Sequence, residues 1–307
     1  MESLIPVIEL QEPEQELYSN MRPPFSYYGG KQRLAKRIVK LLPPHTVYVE
    51  PFSGSGAVYF KKGLPPITNS RYYREVLSDT NQQLIGFFRD MQDPVKRAEL
   101  IDRLEWTLYS QDEYRLAKSK NDSWAWFCNI SFGFAHIYNA GFGTALTSTS
   151  PSLSHFNKVN YLKEFRDRFK YTTIMCEPAL KVIQRMDSPQ TCFYVDPPYP
   201  GTDQGHYSGF SQSDFDELIN VLDSLMGSVV LSCYNNASVP DHWIKHEFNT
   251  IASSKPVTGK NRNHSEKSNF RDDAKRTECV WIKPASSKMR DVLYLKALEN
   301  YKHFQSI

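Results

Sequence analysis

The stretch "TCFYVDPPYP", residues 191–200, decides how the chain is read. Phe193-Tyr194-Val195 has the apolar, aromatic and β-branched character of a buried strand, and Asp196 ends it. Pro197 and Pro198 follow at once. Proline has no amide hydrogen to give a sheet ladder, so the strand must stop there. A buried strand therefore delivers a carboxylate, a stiff elbow and the Tyr199 ring to one spot. In an open α/β sheet, ligands sit outside the carboxyl ends of the strands, so this tip is a candidate site.

On both sides of that strand the chain alternates between strand and helix patterns. In "RLAKRIVKLL", Leu34, Ile38, Leu41 and Leu42 recur at helical spacing, and Pro43 and Pro44 end the run. "TVYVEPF" reads as a buried strand, "SGSGAVYF" as a glycine turn opening a helix, and "REVLSD" as a strand closing on Asp79. Alternation lapses after that. "VKRAELIDRLEWTLYSQDEYRLAKSK" reads as helices, and "WAWFCNISFGFAHIYNAGFGTALTSTSPSLS" has no clear period. It resumes at "YTTIMCEPALKVIQRM". After the proline elbow comes a helix with Ser213 as its expected N-cap and Phe215, Leu218, Leu222 and Leu225 on one face. "SVVLSCYN", "WIKHEFNTIAS" and "ECVWIK" supply three further strands. The expectation is an α/β sheet interrupted by a helical, loop-rich insertion.

Composition narrows the class. In 307 residues, 40% hydrophobic and 23% charged content is that of a soluble globular protein. No apolar run approaches the roughly 20 residues that span a bilayer, and the start lacks the pattern of a secretory signal. Five scattered cysteines, with no Cys-x-x-Cys pair, argue against a disulfide framework or a zinc site and suit a reducing cytosol. The first twenty residues hold five glutamates and no Lys or Arg, whereas residues 21–74 carry ten basic residues against Glu50. A second basic stretch, "KPVTGKNRNHSEKSNFRDDAKR", lies near the carboxyl end. Such patches form a phosphate-facing surface if folding unites them, and solvated helix faces if it does not.

Two glycine-bearing turns accompany the proline elbow. "EPFSGSG" puts Glu50 at a strand end, with Gly54 and Gly56 where the chain turns tightly and backbone amides can approach a ligand. The dinucleotide fingerprint would need a third glycine where Tyr59 stands, which disfavours a nicotinamide or flavin enzyme. Asp79 ends the next strand, where it either accepts from a ribose or caps the following helix. "PFSYYGGK" places Gly30 and Lys31 ahead of a helix, suited to an anionic group such as a carboxylate, but it lacks the spacing of a phosphate loop. At the elbow, the Asp196 carboxylate and a backbone carbonyl are acceptors that can take the two hydrogens of an exocyclic amine and aim its lone pair at an electrophile. Tyr199 offers a face on which a planar base can stack, worth ~1–3 kcal/mol.

In this order, "PFSYYGGK", "EPFSGSG" and "DPPY" resemble the motifs of the Dam-type (alpha group) DNA adenine-N6 methyltransferases, over about residues 22–90 and 168–283 including "VLSDTN" and "RTECVWIK". The resemblance implies a Rossmann-like, S-adenosylmethionine-dependent methyltransferase sheet with an inserted, mainly helical target-recognition domain. The acidic start over 1–20 reads as an extension and 91–167 as the inserted module; with the resemblance, the expectation is a discontinuous catalytic domain over 21–90 and 168–307 and a target-recognition domain over 91–167. Carried over by position, Tyr27, Gly30, Lys31, Glu50, Phe52, Gly54, Gly56, Asp79 and Asp196 would hold S-adenosylmethionine, with Lys31 near its carboxylate and Asp79 on its ribose. Asp196, Pro197, Pro198 and Tyr199 would hold a flipped adenine, with no metal required.

The insertion lacks the Asn-Arg and Asn-Gly pattern of GATC readers, so the target sequence is not carried over. Asn129, His136, Asn139 and Thr144 are candidates for base edges, and Phe132, Phe134 or Tyr138 for the gap left by the flipped base, although for any one of them ordinary packing or loop solvation is the stronger expectation. Lys260, Arg262, Lys267 and Arg271 are candidates for a DNA-contacting loop. The expected partner is double-stranded DNA, with a cognate restriction endonuclease as a candidate second partner, and the chain is expected to act as a cytoplasmic monomer. The competing readings are an RNA or cytosine-N4 amino-methyltransferase and a DNA-binding protein of this fold without catalysis.

Overall fold

A computed structural model describes residues 19–27, 30–63, 73–144, 150–165, 168–200, 209–235, 237–251 and 275–285. Its strands, in chain order, are β1 (Val47–Glu50), β2 (Arg74–Ser78), β3 (Thr172–Met175), β4 (Thr191–Val195), β5 (Ser228–Tyr234), β6 (Ile244–Ile251) and β7 (Lys275–Lys283). They form one sheet in the order β3-β2-β1-β4-β5-β7-β6. The pairs from β3 to β5 are parallel, while β7 runs antiparallel between β5 and β6. This is a Rossmann-like doubly wound sheet whose order reverses between β1 and β4, so the tips of those strands border the crevice where ligands of such sheets bind.

The central parallel strands read as near-continuous apolar runs because both faces are covered. All five residues of β4 are buried, as are Tyr48, Val49 and Glu50 in β1. The helices are α1 (Ala35–Val39), α2 (Ala57–Lys62), α3 (Gln82–Gln92), α4 (Pro94–Glu105), α5 (Gln111–Lys118), α6 (Ser123–Phe132), α7 (Pro151–Leu162), α8 (Ala179–Met186) and α9 (Gln212–Ser224). One face of the sheet packs with α1, α2, α3 and α6 through Phe25, Phe60, Phe87 and Trp126. The other carries α8 and α9 through Val182, Ile183, Phe215 and Leu222.

The cap of α9 lies two residues earlier than expected. Ser211, not Ser213, accepts the Asp214 amide at 3.2 Å, and the Asp214 carboxylate accepts the Ser211 amide at 2.7 Å. This reciprocal box satisfies two helix-end donors where Ser213 would satisfy one. The apolar face is as expected, with Phe215, Leu218, Leu222 and Leu225 all buried.

The segment of no clear period contains α6, whose ten residues are all buried. A helix enclosed on every side needs no polar face and shows no amphipathic signal. Helix starts in the insertion are nonetheless strongly marked. Asp93, Ser110 and Asp122 cap α4, α5 and α6 by accepting amides of the first turn, each contact worth ~1 kcal/mol.

Candidate active site

Four segments converge at the carboxyl end of β4. Asp196 leaves the strand tip and meets the Lys31 ammonium at 2.9 Å, so the loop before α1 is tied to the proline elbow. The Tyr199 hydroxyl donates to the same Asp196 oxygen at 3.1 Å. The Tyr199 ring lies 5.0 Å under the Lys31 ammonium and 4.3 Å from the Tyr234 ring at the end of β5. Glu278 of β7 completes the cluster. Its Oε2 is 3.8 Å from Lys31 Nζ and 3.5 Å from the Tyr199 hydroxyl.

Lys31 is buried at 8% exposure. Burial works to lower its pKa, but the Asp196 and Glu278 carboxylates outweigh that and hold it above the ordinary lysine range. Burial, reinforced by the same two carboxylates, raises the Tyr199 phenol well above its usual value. The site therefore holds a permanent cation and a neutral hydroxyl, both turned toward acids.

The glycine turn after β1 is bound to the tip of β2. One Asp79 oxygen accepts the Gly54 amide at 3.0 Å and the other accepts the Asn81 amide at 2.9 Å. Asn81 is the residue that caps α3, by accepting from Gln83 and Leu84. Gly56 sits at φ +70° as the N-cap of α2, and an added Cβ there would press to 3.2 Å on the Phe60 ring. At Gly30 a Cβ would come within 3.0 Å of the Tyr27 carbonyl. Glycine is required at Gly56 by conformation and at Gly30 by close approach.

Glu50 is buried beneath this turn and accepts the Tyr48 hydroxyl at 2.6 Å. Burial pushes its pKa up to about 8, against the opposing pull of that hydrogen bond. Phe52 meets the Phe210 ring edge to face at 6.2 Å. A cleft of about 450 Å³ opens over these strand tips, lined by Phe52, Asp79, Pro178, Pro198, Phe210 and Leu218 among others.

In the insertion, Asn129 is 1% exposed, and its amide is engaged by Asn139 at 2.8 Å and by the Asn139 backbone at 2.7 Å. The pair staples the loop after α6, in which His136 and Asn139 hold positive φ. Asn129 is thus turned into the interior rather than toward a base edge. Phe132 likewise serves packing, fully buried against Tyr109 at 4.6 Å. Tyr138 lies on Trp126 at 5.1 Å, whereas Phe134 stands 64% exposed. Thr144 is exposed at the end of this loop. Lys260, Arg262, Lys267 and Arg271 lie outside the described residues.

Glu278, Tyr234 and Phe210 escaped the sequence reading. For Glu278 the available signal was an acid within the apolar strand "ECVWIK". No local pattern marks Tyr234 or Phe210, whose neighbours are distant in sequence.

The profile of the D12 class N6 adenine-specific DNA methyltransferases matches residues 27–125 and 136–258. Two curated proteins are similar over shorter stretches. The DNA N-6-adenine-methyltransferase of Escherichia phage P1 is 35% identical over 68 residues, 22% of this chain and 8% of its own length. The Type II methyltransferase M1.LlaDCHI of Lactococcus lactis subsp. cremoris is 36% identical over 84 residues, 27% of each. The chain thus spans less than a third of either relative. Among solved structures, the rRNA methyltransferase aviRa of Streptomyces viridochromogenes overlaps 89% of this chain and 90% of its own at a TM-score of 0.39 and 10% identity.

Proposed function

This chain belongs to the D12 class N6 adenine-specific DNA methyltransferase family, and we propose that it transfers a methyl group from S-adenosylmethionine to N6 of an adenine extruded from double-stranded DNA. The observation that carries the reading is the 2.9 Å contact between Lys31 and Asp196. It joins the anion-binding loop to the proline elbow, so groups suited to a cofactor and to a target amine share one site.

The residues present fit the cofactor. Gly30 leaves exposed backbone where a Cβ would press on the Tyr27 carbonyl, Asp79 offers a buried acid at the β2 tip, and the cleft runs from Asp79 to Pro198. In this reading Lys31 faces the cofactor's carboxylate, Asp79 its ribose, and Phe52 with Phe210 its apolar surfaces. S-adenosylmethionine, when bound, supplies a methyl group on a positively charged sulfur. The protein's part is positioning and charge. Asp196 and a carbonyl of the proline elbow take the hydrogens of the target amine, which aims its lone pair and offsets the positive charge that develops on nitrogen. Tyr199 stacks on the base, and its tilt is fixed by Tyr234.

An adenine within a duplex is out of reach, so it must leave the stack at a cost of a few kcal/mol. Phe134, exposed on a stapled loop, is suited to fill the gap. The recognition part comprises residues 91–167 and the catalytic part 21–90 with 168–307. The chain acts in the cytoplasm, as a monomer.

The test is product identification. The protein is incubated with unmethylated genomic DNA and S-adenosylmethionine carrying a labelled methyl group, and the DNA is digested to nucleosides. Labelled N6-methyldeoxyadenosine supports the reading. Label in cytosine, label only in RNA, or no label with the cofactor bound would each overturn it.

A further inference from the structure

Asp196 has a conflict of duties. In the reading above it accepts the hydrogens of the target amine, yet its Oδ1 already receives Lys31 Nζ at 2.9 Å and the Tyr199 hydroxyl at 3.1 Å. Each bond draws electron density from the carboxylate and weakens it as an acceptor. Both donors have a second acceptor close by, Glu278 Oε2, at 3.8 Å from Lys31 and 3.5 Å from Tyr199. These separations are too long for strong hydrogen bonds, but an adjustment of less than an ångström would make them. Glu278 is held in place by β7, where it pairs in register with Tyr234, the residue whose ring rests on Tyr199. Its side chain is 18% exposed, so the second acceptor is sheltered from water as the first is.

We propose that Glu278 is a positioning residue for methyl transfer, drawing the Lys31 ammonium and the Tyr199 hydroxyl away from Asp196 as the target amine arrives. The two donors occupy either carboxylate, and the amine decides which. Three positively polarised groups, Lys31, Tyr199 O–H and the amine N–H, then share two protein carboxylates rather than crowding one, and with its three hydrogens Lys31 can meet the cofactor's carboxylate as well. The raised pKa of Lys31, to which Glu278 contributes alongside Asp196 and Tyr194, accords with this sharing. The role rests on the functional reading above and adds to it a group outside the proline elbow.

The test is Glu278→Gln, which keeps the shape and removes the charge, measured alone and with Tyr199→Phe. In E278Q the single-turnover methyl-transfer rate should fall roughly 10- to 100-fold, with cofactor and DNA dissociation constants and Tm near wild type. In the Y199F background one of the two donors is absent, so the same substitution should cost at least about threefold less. Glu278→Asp, which keeps the charge, should recover part of the rate. A wild-type rate in E278Q, an equal loss in both backgrounds, or no recovery in Glu278→Asp would each overturn the role. A loss that appears only as weaker cofactor binding or a lower Tm would reduce Glu278 to scaffolding. Wild-type protein that methylates no adenine would remove the functional reading itself, and this role with it.

Discussion

The Asp79 carboxylate grips the Gly54 amide at 3.0 Å, so the acid at the tip of β2 and the glycine turn after β1 are one unit. Asp79 is at once a structural clamp and the candidate ribose acceptor, and its substitution should show both roles. Asp79→Ala should weaken S-adenosylmethionine binding at least about tenfold and lower stability by ~1–3 kcal/mol, the cost of two charge-assisted bonds to backbone amides. Calorimetric titration and urea melts measure the two effects separately. Full cofactor affinity in a folded D79A protein would remove Asp79 from the ribose.

Asp196→Ala should lower methyl transfer by ~10²-fold or more while leaving a folded protein that binds DNA. Lys31→Ala should act differently, chiefly by weakening cofactor affinity, since Lys31 is assigned to the anionic end of the cofactor. Single-turnover rates and binding titrations separate the two. Equal behaviour of the two variants would contradict the division of labour assigned to this ion pair.

Glu50 makes stability depend on pH. Its carboxyl is pushed up to about 8 in the folded protein by burial, against an ordinary value of 4.5. Between those values the folded state holds a proton that the unfolded chain has lost, so stability is greatest at the acid end and falls as pH rises. The slope from this group is at most ~1.4 kcal/mol per pH unit. Glu50→Gln, which stays neutral, should flatten that part of the profile in urea melts taken across the window. An unchanged slope would mean that Glu50 is ionised in the fold.

A third group of charges is structural. Glu75, fully buried in β2, is paired with Arg168 and with Lys62 at 2.9 Å, and Arg168 also donates to the Tyr59 carbonyl at 2.8 Å. Arg168→Ala leaves a buried carboxylate short of its main partner and should cost ~3–5 kcal/mol. Arg168→Lys should recover only part, because an ammonium cannot reproduce the guanidinium fork. Denaturant unfolding checks both. A loss below ~1 kcal/mol in R168A would show that Lys62 alone neutralises Glu75.

Some of this was legible residue by residue. The prolines after Asp196 mark the end of β4 whatever surrounds them, because a missing amide hydrogen is a local fact. The turn after β1 needs glycine at position 56 because its φ is +70°, and the sequence carries one there. The face of α9 was readable because four residues at helical spacing share one environment. Its cap was misplaced although "SQSD", Ser211 to Asp214, carries the capping-box spacing. α6 could not be read, because burial on every side erases the periodicity that distinguishes a helix.

The strand tips, the tight turns and the order of the three motifs are written locally in the chain, since each depends on covalent geometry or on spacing along a short segment. The entry of β7 between β5 and β6, which brings Glu278 to Lys31 and Tyr199, and the pairing of Asn129 with Asn139 are visible only in the folded chain. A side chain's intrinsic chemistry is written in its identity, but the partner that claims its hydrogen bonds is set by contacts between distant segments, and those follow from sheet order and packing rather than from any local pattern.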